Sequence, residues 1–428
     1  MGVVRPFDEV AYSRRRFLAG AGVAAGAVVA GRALQVWGRP LAAAAATGGD
    51  NRVAKGRTVV FVELAGGNDA IDTVIPYADP EYRRLRPTLA VDAPIDLDGS
   101  VGLHPGLVKL GERYRAGQVA IVEGVGIPDN DLSHFASLAS WWTARPGTPG
   151  PTGWLGRYLD EAVGFDDPLA GVVVGPGPSP ALVGARSFAT TISDTTGLTP
   201  RAPAWLAADD RLLDAWADMG RERASRRDLE GRVRQAVALT DTARADLDRV
   251  LGTGPSIDDA TLDARAYGGG SAADAFDVAA RLVAATPRPK VVYLTNLGDY
   301  DTHQGAAQRR PALMADLDAG LDAFWTSVES AGVGDEVIVV TLSEFGRRAQ
   351  ENGSGTDHGN AGTHFVIGPR VAGGRYGAPT SLASLDPRGN LPFAVDFRQV
   401  YATALGWLDT DPEPIVGTGF APQPIIAV

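Results

Sequence analysis

Four stretches of the chain are almost unbroken runs of aliphatic residues. They are RTVVFVEL (Arg57–Leu64), QVAIVEGVG (Gln118–Gly126), PKVVYLTNLG (Pro289–Gly298) and DEVIVVTL (Asp335–Leu342). Side chains on a strand point alternately to its two faces, so a strand with one wet face alternates apolar with polar residues. These runs do not alternate, and so they need apolar cover on both faces. That is the condition of strands in a parallel sheet flanked by helices. HFVIG (His364–Gly368) reads as a short fifth strand.

The segments between the runs supply the cover. Leu107–Gly117 has helical spacing and a glycine stop. Pro311–Gly332, between the third and fourth runs, carries apolar residues at helical spacing. Strand, helix and strand joined by short loops make a βαβ unit with a right-handed crossover. Asp396–Leu408 reads as a C-terminal helix with an aspartate start. Ala204–Leu251 is long, charged and helical in pattern, a helical insertion over about 204–251 that packs on the sheet or caps a site. YGGGSAAD (Tyr267–Asp274) then reads as a hinge or loop. The expected fold class is α/β, a mostly parallel central sheet with helices on both faces, in one domain over residues 47–428.

Residues 1–46 read as a targeting leader. SRRRFL (Ser13–Leu18) places twin arginines before a weakly apolar, Ala- and Gly-rich stretch, and LAAAAA (Leu41–Ala46) offers small residues for cleavage. The apolar stretch is too short and too Gly-rich for a membrane span. The expectation is export by the twin-arginine translocation machinery to the periplasm, the envelope or the outside, with no stable membrane span once the leader is removed. The formal net charge is −11 at pH 7 and no basic stripe is present, which argues against a nucleic-acid partner. The chain has no cysteine, so it has no disulfide, no thiolate ligand and no Cys nucleophile.

Ligands of open α/β sheets bind outside the carboxyl ends of the strands. After the first run come Asn68, Asp69 and Asp72; after the second, Ser133 and His134; after the third, Asp299, Asp301 and His303. After the fourth come Glu344 and Arg347, then Asp357, His358 and His364. Four of the chain's five histidines therefore follow strand ends, and His104 is the exception. Each cluster alone has a plainer reading. The aspartates suit turns, Ser133 suits a helix N-cap, and Glu344 with Arg347 suits a surface pair. Taken together, carboxylates and neutral imidazoles suit a divalent metal, zinc or manganese above all. A hydroxyl beside it, such as Ser133, is then a candidate nucleophile.

At these residues the chain resembles the exported bacterial family catalogued as domain of unknown function 1501, itself similar to the alkaline phosphatase and sulfatase superfamily. The pieces that carry the resemblance are LAGGNDAIDTVIPY, LHPGLVKLGERYRAGQVAIVEGVG, LSHFASLASWW, DYDTH, SEFGRRAQENGSGTDHG and DFRQVYATALGWL. The resemblance implies an alkaline phosphatase-like fold. It also implies roles: Asp69 as the first acid, Ser133 as nucleophile, and Asp301 with His303 on one metal. Glu344 would be a later acid, with Asp357, His358 and His364 as further metal candidates. Arg347 would neutralise an anionic substrate, with His134 and Asn68 beside it. Whether Asp299 or Asp301 is the ligand stays open. Phe345 stands where the superfamily commonly has a histidine, and the absence of cysteine excludes a formylglycine-type sulfatase.

The expected function is that of an exported metal-dependent hydrolase of phosphate or sulfate esters. The substrate would be a small anionic ester, attacked by metal-activated Ser133 or water. The alternative is a non-catalytic envelope protein that keeps the fold for binding or assembly. A transferase that moves a phosphoryl group, with the helical insertion as a moving cap, is a third reading.

Overall fold

The computed structural model describes residues 34–37, 56–163, 167–187, 189–192, 239, 243, 246–247, 250–251 and 272–426. Its strands in chain order are β1 (Leu34–Trp37), β2 (Thr58–Leu64), β3 (Val74–Ile75), β4 (Ile95–Asp96), β5 (Gly102–Leu103), β6 (Val119–Gly126), β7 (Gly171–Val174) and β8 (Ala189–Ile192). There follow β9 (Val291–Leu297), β10 (Val337–Leu342), β11 (Gly346–Glu351), β12 (Thr356–Gly359), β13 (Gly362–Ile367), β14 (Gly374–Gly377) and β15 (Val395–Asp396). The helices used below are α1 (Ala70–Thr73), α2 (Pro80–Leu85), α3 (Val108–Arg115), α4 (His134–Thr143), α5 (Trp154–Ala162), α6 (Ala272–Ala284), α7 (Ala306–Ser330) and α8 (Phe397–Trp407).

The central sheet runs β1-β8-β7-β9-β2-β10-β13-β6-β14, with β15 also on β6. Neighbours from β8 through β10 are parallel. β13 is antiparallel to both β10 and β6, which leaves β6 running with β10. The sheet is therefore mostly parallel, as the aliphatic runs require. β13 departs for a simple reason. The chain leaves β10, makes the β11–β12 hairpin at the same edge and turns straight back, and a direct return permits only antiparallel pairing.

Both faces are covered. Along β2, Val60, Val62 and Leu64 enter one core, and Val59 and Phe61 enter the other. The first core lies under α6 and α7, with Phe276, Leu321 and Phe324 buried in it. The second holds residues of α4, α5 and α8, where Trp154 stacks on Tyr401 at 3.9 Å between ring centroids. Burying a large aromatic side chain stabilises by about 3 kcal/mol, so both faces contribute to fixing the sheet.

Helix α8 begins where the sequence places it, with Asp396 in a capping box with Gln399. Helix α7 starts at Ala306, ahead of the expected Pro311, which lies inside it. Pro311 lies past the first turn, so its missing N–H removes one bond of the helical ladder, the one to the Ala307 carbonyl. Of the expected leader, only Leu34–Trp37 is described, and it pairs antiparallel with β8. Most of the helical insertion over 204–251, and Tyr267–Ser271 of the hinge, lie outside the described residues. Ala243, Leu247 and Leu251 are buried in the first core. Among the described residues no helix is long and apolar enough to cross a membrane.

Candidate metal centre

Because β2, β6, β9 and β10 run the same way, their carboxyl ends meet at one edge, and antiparallel β13 begins there. The turn after β2 depends on two glycines. Gly66 has φ +109° and Gly67 φ +84°. A Cβ on Gly66 would stand 2.4 Å from the Asp301 backbone nitrogen, and one on Gly67 would stand 2.5 Å from the Phe345 ring. With those Cβ atoms absent, the N–H groups of both glycines donate to the Glu344 carboxylate, at 2.9 Å from Gly66 and 3.1 Å from Gly67. Successive backbone N–H groups arranged this way form an anion nest.

Arg347 ties the strand ends together. It is fully buried and donates to the carbonyls of Gly67 (2.8 Å), Thr356 (2.8 Å), Tyr300 (3.2 Å) and Gly66. Its remaining contact is Asp301 Oδ1 at 2.6 Å. Burial raises the Asp301 pKa, but the hydrogen bond and charge of Arg347, with His303 and His134, bring it below the ordinary value.

Around Asp301 stand three imidazoles. His134 opens α4. Its Nδ1 meets Glu344 Oε1 at 2.7 Å and its Nε2 lies 3.6 Å from Asp301 Oδ2. His358, on β12, donates from Nδ1 to the Leu132 carbonyl at 2.9 Å and brings Nε2 to 3.3 Å from Asp301 Oδ1. His303 Nε2 stands 2.9 Å from His358 Nε2 and 3.2 Å from Asp301 Oδ1. His303 Nδ1 is 3.5 Å from Asp357. The partners of Nδ1 fix the tautomers. With the proton on Nδ1, the neutral rings of His134 and His358 both turn Nε2 toward one carboxylate, and that of His358 also faces His303 Nε2. Single donor atoms of His134, Asp301 and His358 all lie within 4.8 Å of one another. The hydrogen bond to Glu344, with its charge and that of Asp301, raises the His134 pKa against the effect of burial. Burial lowers that of His358, against its bond to Leu132.

The Phe345 ring, 2% exposed, packs against both imidazoles, with centroids 4.8 Å from His134 and 4.3 Å from His358. Leu132 takes a left-handed backbone, φ +61°, which is uncommon for a bulky residue. Its carbonyl is the one that orients His358. Local strain held in place by its surroundings is characteristic of functional sites.

Several residues expected at a site are placed elsewhere. His364 is buried in β13 with its ring 5.3 Å from that of Trp141. Strand alternation turns it into the core, away from the strand ends. Asp69 is closed off by Arg86 (3.0 Å) and Arg310 (2.8 Å), which also pair with Asp72. Burial opposes its ionisation, yet the two guanidinium charges hold Asp69 down to about 2. Asn68 accepts from the Thr73 hydroxyl and donates its N–H to Ser343, an internal role. Arg347 has its donors spent on the protein rather than turned to a substrate. Ser133 occupies the N-cap position of α4, next to His134, and its N–H donates to Asp131. Glu344 lies behind His134, and Asp357 lies beyond His303, within 3.2 Å of the Asn352 amide. Of the two aspartates left open, Asp301 joins the cluster and Asp299 pairs with Arg309 at 2.5 Å. The sequence reading set His134 beside a substrate, and the structure puts it among the imidazoles. The pairing of Arg86 and Arg310 with Asp69 has no local signal, since the three are distant in the chain.

The sequence profile of the family described as "Protein of unknown function (DUF1501)" matches residues 95–421. No curated protein matches the chain. Among solved structures it is similar to Ps i-CgsB in complex with k-i-k-neocarrahexaose, at 11% identity and TM-score 0.40, over 85% of this chain and 74% of that one. A protein in the alkaline phosphatase superfamily from Vibrio parahaemolyticus matches at 11% identity and TM-score 0.37, over 84% of this chain and 69% of that one. Alkaline phosphatase from the Antarctic bacterium TAB5 matches at 9% identity and TM-score 0.31, over 74% of this chain and 91% of that one.

Proposed function

The chain belongs to the DUF1501 family, whose description assigns no activity, and we propose from the site itself that it is a metal-dependent ester hydrolase. The observation that carries the reading is the pair of imidazoles anchored through Nδ1, with both Nε2 atoms turned to Asp301. This donor set fits a divalent cation, with zinc or manganese the expected ions. Neutral imidazole nitrogens and a carboxylate are its usual ligands, and the hydrogen-bonded far nitrogens are its usual support. His134, His358 and Asp301 would hold the ion, with His303 adjacent. When bound, such an ion supplies a Lewis acid beside an anionic ester.

The chain's own groups do the rest. Phe345 shields one side of the imidazoles from water. Arg347 holds Asp301 in its ionised, accepting form. Ser133, one residue before His134, is the candidate nucleophile. Phosphate or sulfate esters are the substrate class that the strand-end motifs suggest, through their resemblance to the alkaline phosphatase and sulfatase superfamily. The twin-arginine segment supports export, and hence action outside the cytoplasm.

The test is metal analysis of the purified protein beside His134→Ala and His358→Ala, followed by assay of the zinc- and manganese-loaded chain on 4-nitrophenyl phosphate and 4-nitrophenyl sulfate. Bound ion lost in either variant, with turnover in the wild type, is the expected result. Failure to bind either ion would remove the reading. Binding without turnover on a broad ester panel would favour the non-catalytic envelope protein.

A further inference from the structure

We infer that Glu344 is a positioning residue of this centre and not one of its ligands, an inference that rests on the cation site proposed above. The Glu344 carboxylate is 1% exposed, and its acceptor positions are used within the protein. Oε1 accepts from Gly66 N–H at 2.9 Å and meets His134 Nδ1 at 2.7 Å. Oε2 accepts from Gly66 and Gly67, both at 3.1 Å, with the Ser343 hydroxyl at 3.4 Å. A carboxylate so engaged has little left to offer an ion on the far side of the His134 ring.

Its effect on that ring is specific. With Nδ1 bonded to Glu344, His134 presents Nε2, and only Nε2, toward Asp301 and His358. His358 is set the same way by the Leu132 carbonyl. The two supports differ in charge. An anion behind an imidazole makes the opposite nitrogen a stronger donor than a neutral carbonyl does. Glutamine in place of Glu344 keeps one oxygen for His134 Nδ1–H and Gly66 N–H, but it carries no charge and turns its amide N–H groups toward the Gly67 N–H. The glycine turn after β2, the acid after β10 and the histidine opening α4 thus form one device. The nest holds the carboxylate, and the carboxylate holds the ring.

The experiment titrates the purified full-length protein with Co²⁺, following ligand-field absorption and affinity, for wild type, Glu344→Gln and Asp301→Asn. Glu344→Gln is expected to keep the wild-type spectrum and bind roughly 10- to 100-fold more weakly. Asp301→Asn is expected to change the spectrum. A changed coordination spectrum in Glu344→Gln would make Glu344 a ligand, and an unchanged affinity would deny it a positioning role. Either result overturns the inference while the cation site stands. No Co²⁺ binding by the wild type would instead remove the site itself. Should Glu344→Gln fail to fold, the wild-type chain still decides the matter. Long-range ¹H–¹⁵N spectra of the cation-free protein at alkaline pH should show His134 protonated at Nδ1, and an Nε2–H tautomer there would overturn the inference.

Discussion

Burial and partners give two histidines of this chain opposite characters. His134 is half-buried against a carboxylate, and that bond favours its charged form. His364 is 2% exposed beside Trp141, and burial pulls its pKa from 6.5 down to about 4. The folded protein therefore keeps His364 neutral at pH values where the open chain would already protonate it. The stability linked to His364 is complete above pH 6.5 and is lost as pH falls toward 4. Across that window the loss is roughly 3 kcal/mol. His364→Phe should flatten this part of the pH–stability profile, read from urea midpoints at a series of pH values. An equally steep profile in the variant would show that His364 does not titrate with unfolding.

At the scale of elements, the strand-end loops are held by one side chain. Arg347 on β11 reaches carbonyls in the turns after β2 and β9 and on β12, as well as the Asp301 carboxylate. Lysine has a single nitrogen and cannot reproduce that fork. Both Arg347→Ala and Arg347→Lys should therefore destabilise, by about 3–5 kcal/mol for the alanine variant, the range for removing one partner of a buried charge pair. Each should also weaken cation binding by freeing Asp301. If Arg347→Lys matches the wild type in denaturation and in Co²⁺ affinity, the strand ends are held by other contacts.

For the whole molecule, the question is how many ions one chain carries. Asp69 and Asp72 are both within 4% exposure and already share the two buried guanidinium groups of Arg86 and Arg310. Their charge is balanced without metal by two guanidinium groups, whereas Asp301 pairs with one, Arg347, through Oδ1 and turns Oδ2 toward His134 Nε2. Elemental analysis should therefore find about one divalent ion per chain. Two equivalents, with the second lost in Asp69→Asn, would show that Asp69 opens to a metal. An ion bound only by the folded state also raises stability, by about 2.7 kcal/mol at a free concentration one hundred times its Kd. The melting temperature should rise with added zinc in the wild type and not in His358→Ala.

The sequence by itself determined the sheet. Aliphatic runs without alternation can be buried only between two layers, so β2, β6, β9 and β10 and their common direction were legible from residue type alone. The strand ends were legible too, because Gly66, Gly67 and four of the chain's five histidines mark them. The division of labour at that edge was not. Whether an acid holds an ion, turns a histidine or neutralises an arginine depends on what lies across from it. Those partners stand far away in the chain: Arg86 and Arg310 for Asp69, the Gly66–Gly67 nest for Glu344, the Leu132 carbonyl for His358. Local sequence carries periodicity and turn chemistry, which act over a few residues. Coordination and charge balance act through space, and only the folded chain sets those distances.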